Sequence, residues 1–185
     1  LNRDLDLLIT SDPIGEHPEL QRFALLRDPI VMIVPDEYAN HKEVSPAWLA
    51  ENLPFVRYNR QSRLGSLSDL IARRLNIELD AAYELDSTQT LLRFVQSGQG
   101  WALTSGLCLV RYPELLKGSQ VMPLTNGANA RHLTLVCRNN ELGDWPAKIA
   151  SICRSIYTND IVAQMKKIAP WLEQQAYSIT EMPAI

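Results

Sequence analysis

The segment STQTLLRFVQSGQGWALTS, residues 87–105, carries hydroxyl side chains at both of its ends. Ser87 and Thr88 precede an amphipathic helical pattern, and Thr104 and Ser105 end a short apolar run. Hydroxyls at the start of a helix can cap its unpaired N–H groups, or they can bind a polar or anionic ligand there. Taken alone, the segment leaves both interpretations open.

Polar side chains of the same kind follow other apolar runs of the sequence. In an open parallel sheet, the carboxyl ends of the strands and the amino ends of the helices lie at one edge, where ligands bind. If these runs are strands of one sheet, the loops that follow them meet at that edge and form a polar cleft. The loops contain Thr10 and Ser11, then Asn59, Arg60, Gln61 and Ser62, then Ser87 and Thr88, and finally Thr104 and Ser105.

Strand and helix patterns alternate along the chain. Apolar residues spaced by three and four mark helices, and short apolar runs bounded by turn residues mark buried strands. This alternation predicts an α/β fold with a mainly parallel sheet that is covered on both faces. Gly98 is expected to close a helix, and Gly100 to turn the chain into the next strand. The predicted strands are residues 5–9, 25–26 with 29–34, 54–58, 81–85, 101–103 and 132–138, and helices are predicted to begin at about residues 46, 66, 87, 146 and 161.

The composition is that of a globular protein with a small net charge. Of the 185 residues, 46% are hydrophobic, which is enough for a core in one domain or in two small lobes. The formal net charge of -3 gives no general attraction to nucleic acid or to anionic lipid, so this chain alone is not expected to bind DNA. Its apolar runs are far shorter than the ~18 residues of a membrane span, and it has no signal-peptide pattern. These features predict a cytoplasmic protein without a membrane partner.

The three cysteines are widely spaced and lie in apolar runs. Cys108, Cys137 and Cys153 form no CxxC motif and no cluster with histidine. Their odd number and apolar neighbours predict buried free thiols in a reducing compartment. We expect no metal site and no cofactor.

The histidines do not suggest catalysis. His17, His41 and His132 have no carboxylate at a catalytic spacing, and Cys108 lies in the apolar run GLCLV, unlike an activated thiolate. The chain is therefore predicted not to be an enzyme.

Five motifs follow one another along the chain in a fixed order. They are LDLLIT, LLRDPIVMIVP, LPFVRYN with Ser62 shortly after it, ELDS, and LLRFVQSGQGWAL. This ordered set resembles the effector-binding domain of LysR-type transcriptional regulators. The resemblance extends from residue 1 to about residue 157, and the V-x-x-G-x-G segment at residues 95–100 is its most specific part.

The resemblance implies two Rossmann-like lobes of the type II periplasmic-binding-protein kind, with two segments that cross between the lobes. The crossings are expected near residues 29–35 and 123–131. The implied first lobe comprises residues 1–30 and 127–176, and the implied second lobe residues 35–122. Independently of the resemblance, residues 177–185 are expected to form a loosely held tail, as chain ends commonly do.

The resemblance also implies a regulatory function. Members of this family bind a small effector, often an anionic metabolite, in the cleft between the lobes. The effector changes the arrangement of a dimer or tetramer, and so the position of an N-terminal helix-turn-helix on DNA. The same function is expected of the protein that contains this chain. In that protein, DNA would be contacted only through an N-terminal helix-turn-helix that lies outside these 185 residues.

Carried over by position, the resemblance assigns ligand-binding roles to the hydroxyl-bearing loops. Arg60 and Arg63 are the cations expected near the cleft. A guanidinium there can bind a carboxylate through two hydrogen bonds, or it can remain a solvated loop charge. Family members usually have Leu-Pro where Thr104 and Ser105 stand, so the pocket wall is expected to be more polar here. The expected ligand-binding residues are Thr10, Ser11, Asn59, Arg60, Ser62, Ser87, Thr88 and Thr104.

A second departure from the family concerns the start of the sequence. Residue 1 aligns with the family's second strand, so the family's DNA-binding domain, linker helix and first effector-domain strand and helix have no counterpart among the 185 residues. The first lobe is therefore expected to have a gap, which either upstream residues or a partner would fill.

Two further alternatives remain open. An exported solute-binding protein has the same fold, although the three cysteines and the lack of an export signal argue against it. Trp48, Leu49 and the helix at residues 67–75 could form an oligomer face against residues 149–156 of another subunit, or they could pack on their own core.

Overall fold

Strands and helices alternate through the middle of the chain, as the sequence predicts. The structure is a computed structural model that describes residues 5–12, 14–15, 17–124 and 129–181. The strands are β1 Leu7–Thr10, β2 Leu20–Pro35, β3 Phe55–Tyr58, β4 Ala81–Leu85, β5 Trp101–Ser105, β6 Ser119–Pro123, β7 Ala130–Arg138 and β8 Tyr177–Ser178. The helices are α1 Asp36–Ala39, α2 Pro46–Asn52, α3 Arg63–Leu75, α4 Thr88–Gln96, α5 Gly106–Val110, α6 Trp145–Ile156, α7 Val162–Ile168 and α8 Leu172–Gln175, with a 3-10 turn at Pro113–Leu116 and a π turn at Tyr157–Ile161.

The chain forms two compact units. The central unit comprises Pro29–Asn129, and the split unit comprises Leu1–Asp28 together with Ala130–Ile185. The chain therefore passes from one unit to the other twice. Residues 125–128, which belong to the second predicted crossing, lie outside the described residues. In the described part of the chain, no helix is long and apolar enough to cross a membrane.

The central unit is built on a mixed sheet. Its strands lie in the order β4-β3-β5-β2, with β6 on β2 as well. Strand β3 is parallel to β4 and β5, whereas β2 is antiparallel to β5 and β6. The prediction of a mainly parallel sheet is therefore wrong outside β4-β3-β5. Alternating strand and helix patterns show which segments are strands, but not the direction in which a strand that enters from another unit runs.

Strand β2 is longer than the sequence predicts. The two predicted runs, residues 25–26 and 29–34, form one continuous strand of 16 residues that includes Pro29. Its second half pairs with β5 and β6, and every residue from Ala24 to Pro35 is buried. Such burial explains the apolar run PIVMIVP, because a strand covered on both faces shows no polar alternation.

The split unit contains the antiparallel pair of β1 and β7, followed by β2 in the sheet order. Strand β8 adds to β2 by pairing Tyr177 with Arg27 and Ser178 with Leu26. The guanidinium of Arg154 also donates hydrogen bonds to the carbonyl oxygens of Ala24 and Ile179. The start of the tail, predicted to be loosely held, is thus part of the sheet.

Helix α6 has the predicted helical period, but its larger apolar side chains are not in the core. Ile152 is 57% exposed and Ile156 is 49% exposed, whereas Pro146 and Ala150 are buried. Apolar side chains of this helix therefore lie partly on the surface. Periodicity identifies a face of a helix, but it does not show what covers that face.

The cysteines also differ from the prediction. Cys137 is buried, whereas Cys108 and Cys153 are only half-buried. Cys108 and Cys153 lie in helices, where an apolar sequence neighbour does not ensure an apolar spatial neighbour.

A buried arginine joins α3 to the central sheet. Arg57 in β3 is 1% exposed, and its guanidinium donates two hydrogen bonds to the carboxylate of Asp69 in α3, at 2.8 and 3.0 Å. It also donates to the carbonyl oxygens of Gly65 and Tyr58 at 3.1 and 3.2 Å. A buried charge is tolerated only when it is paired and hydrogen-bonded in this way. The hydrogen bonds from Arg57 lower the pKa of Asp69.

We expect Asp69→Asn to lower the free energy of unfolding at neutral pH by about 2 kcal/mol, because the buried guanidinium loses its charged partner. Because the pKa of Asp69 is lower in the folded state, its ionisation stabilises the fold. This contribution is complete at pH values above the unfolded-state pKa of about 3.9, and it is lost as the pH falls through the folded-state pKa. The difference between wild type and variant should therefore shrink in acid. Urea unfolding at neutral pH and at about pH 3 tests this; a difference that stays constant, or an equal effect of the exposed change Asp80→Asn, would contradict it.

Gly65 allows the first turn of α3 to approach β3 closely. A Cβ atom at this position would lie 2.1 Å from the carbonyl oxygen of Asn59 and 2.9 Å from that of Tyr58. Both neighbours are backbone atoms, so no side-chain rotation can relieve the clash.

Gly65→Ala should therefore destabilise the protein, by about 1–3 kcal/mol as in other overpacked sites. In an unconstrained helix interior the same change stabilises by about 1 kcal/mol, so the sign of the effect is diagnostic. Urea denaturation measures it, with Ser66→Ala, an exposed change in the same helix, as the control. A stabilised Gly65→Ala variant would show that the close approach is absent.

Candidate ligand-binding site

Three of the predicted polar loops meet at one edge of the central sheet. Strand β3 is parallel to β4 and β5, so the carboxyl ends of these strands lie on the same side. The loops after β3 and β4 are joined directly, because the N–H of Asn59 donates to the carbonyl oxygen of Leu85 at 2.9 Å. The sequence prediction of a shared edge is confirmed for these loops.

The centre of this edge is a group of hydroxyls that we name the hydroxyl cluster: Tyr58, Thr88 and Thr104. The Tyr58 hydroxyl lies 3.0 Å from the Thr88 Oγ1 and 2.8 Å from the Thr104 Oγ1. Tyr58 is 5% exposed and Thr104 is 0% exposed, whereas Thr88 is half-buried. The cluster therefore links the ends of β3 and β5 to the first turn of α4, and Thr88 is its accessible member.

The phenol of Tyr58 is held in its protonated form. Burial raises the pKa of Tyr58 above its ordinary range, and the neighbouring Cys108, which also hydrogen-bonds to Tyr58, raises it further. The hydrogen bonds with Thr104 and Thr88 act in the opposite direction but are weaker influences. At physiological pH the phenol is therefore a neutral hydroxyl that can both donate and accept.

Two of the predicted site serines act as helix caps. The Ser62 Oγ accepts a hydrogen bond from the Gly65 N–H at 3.0 Å and donates to the carbonyl oxygen of Asn59 at 2.7 Å. The Ser87 Oγ accepts from the Thr90 N–H at a longer distance of 3.5 Å, and Ser87 is exposed. The capping interpretation thus describes Ser62 well, whereas the cap by Ser87 is weak.

We expect Ser62→Ala to lower the free energy of unfolding by about 1 kcal/mol, the usual cost of removing an N-cap. Thermal or urea unfolding measures this effect, and Ser87→Ala should cost less because its capping bond is longer. If Ser62→Ala is neutral, the hydroxyl is not needed as a cap and is available to a ligand.

The two candidate cations have different surroundings. Arg60 is exposed, and its backbone N–H donates to the carboxylate of Glu84 at 3.2 Å. Arg63 is the first residue of α3 and is half-buried; its Nε is buried and has no hydrogen-bond partner among the described residues. Asn59 forms a local turn in which its Oδ1 accepts from the Gln61 N–H at 2.9 Å.

Other predicted residues lie elsewhere or serve the fold. Thr10 and Ser11 belong to the split unit, where the Thr10 Oγ1 accepts from the Asp12 N–H at 3.0 Å. Their role in ligand binding stays a prediction. Ser105 is fully buried before α5. In the described ranges, no three histidine, cysteine or acidic side chains are placed to hold a metal ion.

Tyr58 and Cys108 lie at this edge although neither was predicted from the sequence to be a site residue. Tyr58 is the last residue of β3, directly before a polar loop, and that position was a usable signal for a site at the strand end. Cys108 offered no such signal, because only folding brings the first turn of α5 to the end of β3.

Comparison with known proteins identifies the family. The model of the LysR substrate binding domain matches residues 1–145, which is more than half of the chain. The chain belongs to the LysR substrate-binding domain family. No curated protein sequence matches it.

Solved structures of LysR regulators have the same fold. OxyR from Corynebacterium glutamicum, in a mutant form, is 16% identical with a TM-score of 0.70, covering 98% of this chain and 55% of its own. The CcmR regulatory domain from Synechocystis PCC6803, in complex with 2-PG, is 17% identical with a TM-score of 0.68, covering 86% of this chain and 76% of its own. The effector-binding domain of QuiR in complex with shikimate is 16% identical with a TM-score of 0.64, and the match covers 82% of this chain and 71% of the QuiR chain.

These matches establish the fold class expected from the sequence, two α/β lobes of the type II periplasmic-binding-protein kind. The chain spans about half the length of the first of these relatives. At such low sequence identity the structures show the fold alone.

Proposed function

We propose that this LysR domain senses a small polar or anionic metabolite, which binds at the carboxyl edge of β4-β3-β5 against the hydroxyl cluster. The observation that carries the proposal is the pair of hydrogen bonds that joins the Tyr58 hydroxyl to the hydroxyls of Thr88 and Thr104, which brings three loops together. Ligands of open α/β sheets bind at this kind of edge. Complexes of the similar domains of CcmR with 2-PG and of QuiR with shikimate support a small-molecule ligand.

Charges of both signs lie at this edge of the sheet. The amino ends of α3 and α4 carry partial positive charge, but Glu84 brings a carboxylate to the same loops. Arg60 is exposed, and the buried Arg63 Nε has no hydrogen-bond partner among the described residues. A ligand carboxylate or phosphate would supply the acceptor oxygens that these guanidinium groups need.

The proposal extends to the complete regulator. Binding would be coupled to the arrangement of a homo-oligomer, whether dimer or tetramer, and through an N-terminal helix-turn-helix to DNA. The exposed apolar side chains Ile152 and Ile156 of α6 support an oligomer contact there, whereas Leu67 and Ile71 of α3 are buried in their own unit. The role is regulatory and not catalytic, in the cytoplasm.

A ligand screen of the 185-residue chain tests the proposal. We would measure melting temperature and amide NMR shifts with shikimate, citrate, phosphoglycerate and inorganic phosphate, and with glucose as an uncharged comparison. The proposal expects at least one anion to raise the melting temperature and to shift the amides of residues 59–63 and 87–90. Binding of none of these anions, or shifts confined to other residues, would contradict it.

Arg60→Ala should weaken binding of the anion by about tenfold, since one hydrogen bond to a charged group contributes about 1.5–3 kcal/mol. Calorimetry measures the dissociation constant, and Arg73→Ala, an exposed change at the far end of α3, is the matched control. An unchanged dissociation constant in Arg60→Ala would remove this residue from the site.

A further inference from the structure

The hydrogen bonds of the hydroxyl cluster can run in more than one direction, and these directions are not equivalent. The Tyr58 hydroxyl has one hydrogen but three neighbours, namely Thr88, Thr104 and the Cys108 thiol. It can therefore donate to one of them and accept from the others. Which neighbour receives its hydrogen decides how Thr88 is presented to solvent.

The burial of Thr104 selects the arrangement. Thr104 is 0% exposed, and among the described residues its hydroxyl has the Tyr58 oxygen as its side-chain partner. If Tyr58 donated to Thr104, the hydrogen of Thr104 would be buried without an acceptor, which costs about 1–3 kcal/mol. The hydrogen of Thr104 is therefore directed to Tyr58.

The remaining bonds follow in sequence. The Tyr58 oxygen accepts from Thr104, and its one hydrogen is then directed to the Thr88 Oγ1, because a hydroxyl oxygen is a better acceptor than the sulfur of Cys108. Thr88 uses a lone pair to accept that bond, so its own hydrogen points away from Tyr58. Because Thr88 is half-buried at the amino end of α4, this hydrogen faces the accessible side of the cluster.

We infer that Tyr58 is a positioning residue that orients Thr88 as a hydrogen-bond donor, so that the site selects ligands with acceptor oxygens, such as carboxylates and phosphates. This inference rests on the proposed function and adds to it the residue that sets the polarity of the site. Hydrogen bonds that run in one direction polarise one another, so each member strengthens the donor at the accessible end.

The first test uses Tyr58→Phe, which removes the hydroxyl but keeps the ring. In the wild-type chain without ligand, NMR scalar couplings should show one χ1 rotamer for Thr88, and in Tyr58→Phe they should show averaging. Tyr83→Phe is the matched control, because Tyr83 lies on the neighbouring strand β4 and is exposed. A folded Tyr58→Phe variant with an unchanged Thr88 rotamer would overturn the positioning role.

The second test measures the affinity for inorganic phosphate, which offers acceptor oxygens, by NMR titration at residues 87–90. We expect Tyr58→Phe to weaken binding about tenfold and Tyr83→Phe to leave it unchanged. Equal affinities of wild type and Tyr58→Phe would overturn the inference.

A second pair of variants covers the case in which Tyr58→Phe does not fold. Thr104→Ser keeps the hydroxyl that donates to Tyr58 and should retain both the Thr88 rotamer and phosphate binding. Thr104→Val keeps the shape but frees Tyr58 to change its donor direction, and it should lose both. Identical behaviour of the two Thr104 variants would contradict the directed chain of hydrogen bonds.

Failure of the inference can be separated from failure of the proposed function. If wild type binds no anion but Thr88 changes its rotamer in Tyr58→Phe, the proposed function fails and the positioning role stands. If wild type binds phosphate at this edge and Tyr58→Phe binds equally well, the proposed function stands and the positioning role fails.

Discussion

The central unit depends on satisfying one buried charge, the guanidinium of Arg57. A buried guanidinium without partners would destabilise the fold, so the carboxylate of Asp69 and the carbonyl oxygens of Gly65 and Tyr58 must lie around it. These partners come from the first two turns of α3 and from β3 itself. The requirement draws α3 against β3, and the glycine at position 65 is what allows the helix to come so near.

The same strand supports the candidate site. Successive side chains of a strand point to opposite faces of the sheet, so Arg57 and its neighbour Tyr58 contact different elements. Arg57 holds α3, and with it the loop that carries Arg60, while Tyr58 reaches Thr88 of α4 and Thr104 of β5. A structural ion pair and the candidate ligand-binding edge are therefore adjacent in sequence.

The local elements were largely readable from the sequence, and their assembly was not. The start of α2 at Pro46, the amphipathic spacing of α4 and the left-handed Gly98 all occur as expected, because each depends on neighbours in the chain. Strand direction in the sheet, the unbroken length of β2 and the exposure of Ile152 depend on distant segments. Local patterns carry little information about such contacts.

For the site, the sequence alone determined the fold class, the LysR family and the polar loops that follow β3, β4 and β5. These properties depend on short motifs and on the order of elements. Only the tertiary structure decided that Ser62 is a cap, that Tyr58 joins Thr88 to Thr104, and that Cys108 belongs to the same group. Hydrogen bonds between residues that are 30 and 46 positions apart require the strands to be in register, and register is a property of the folded sheet.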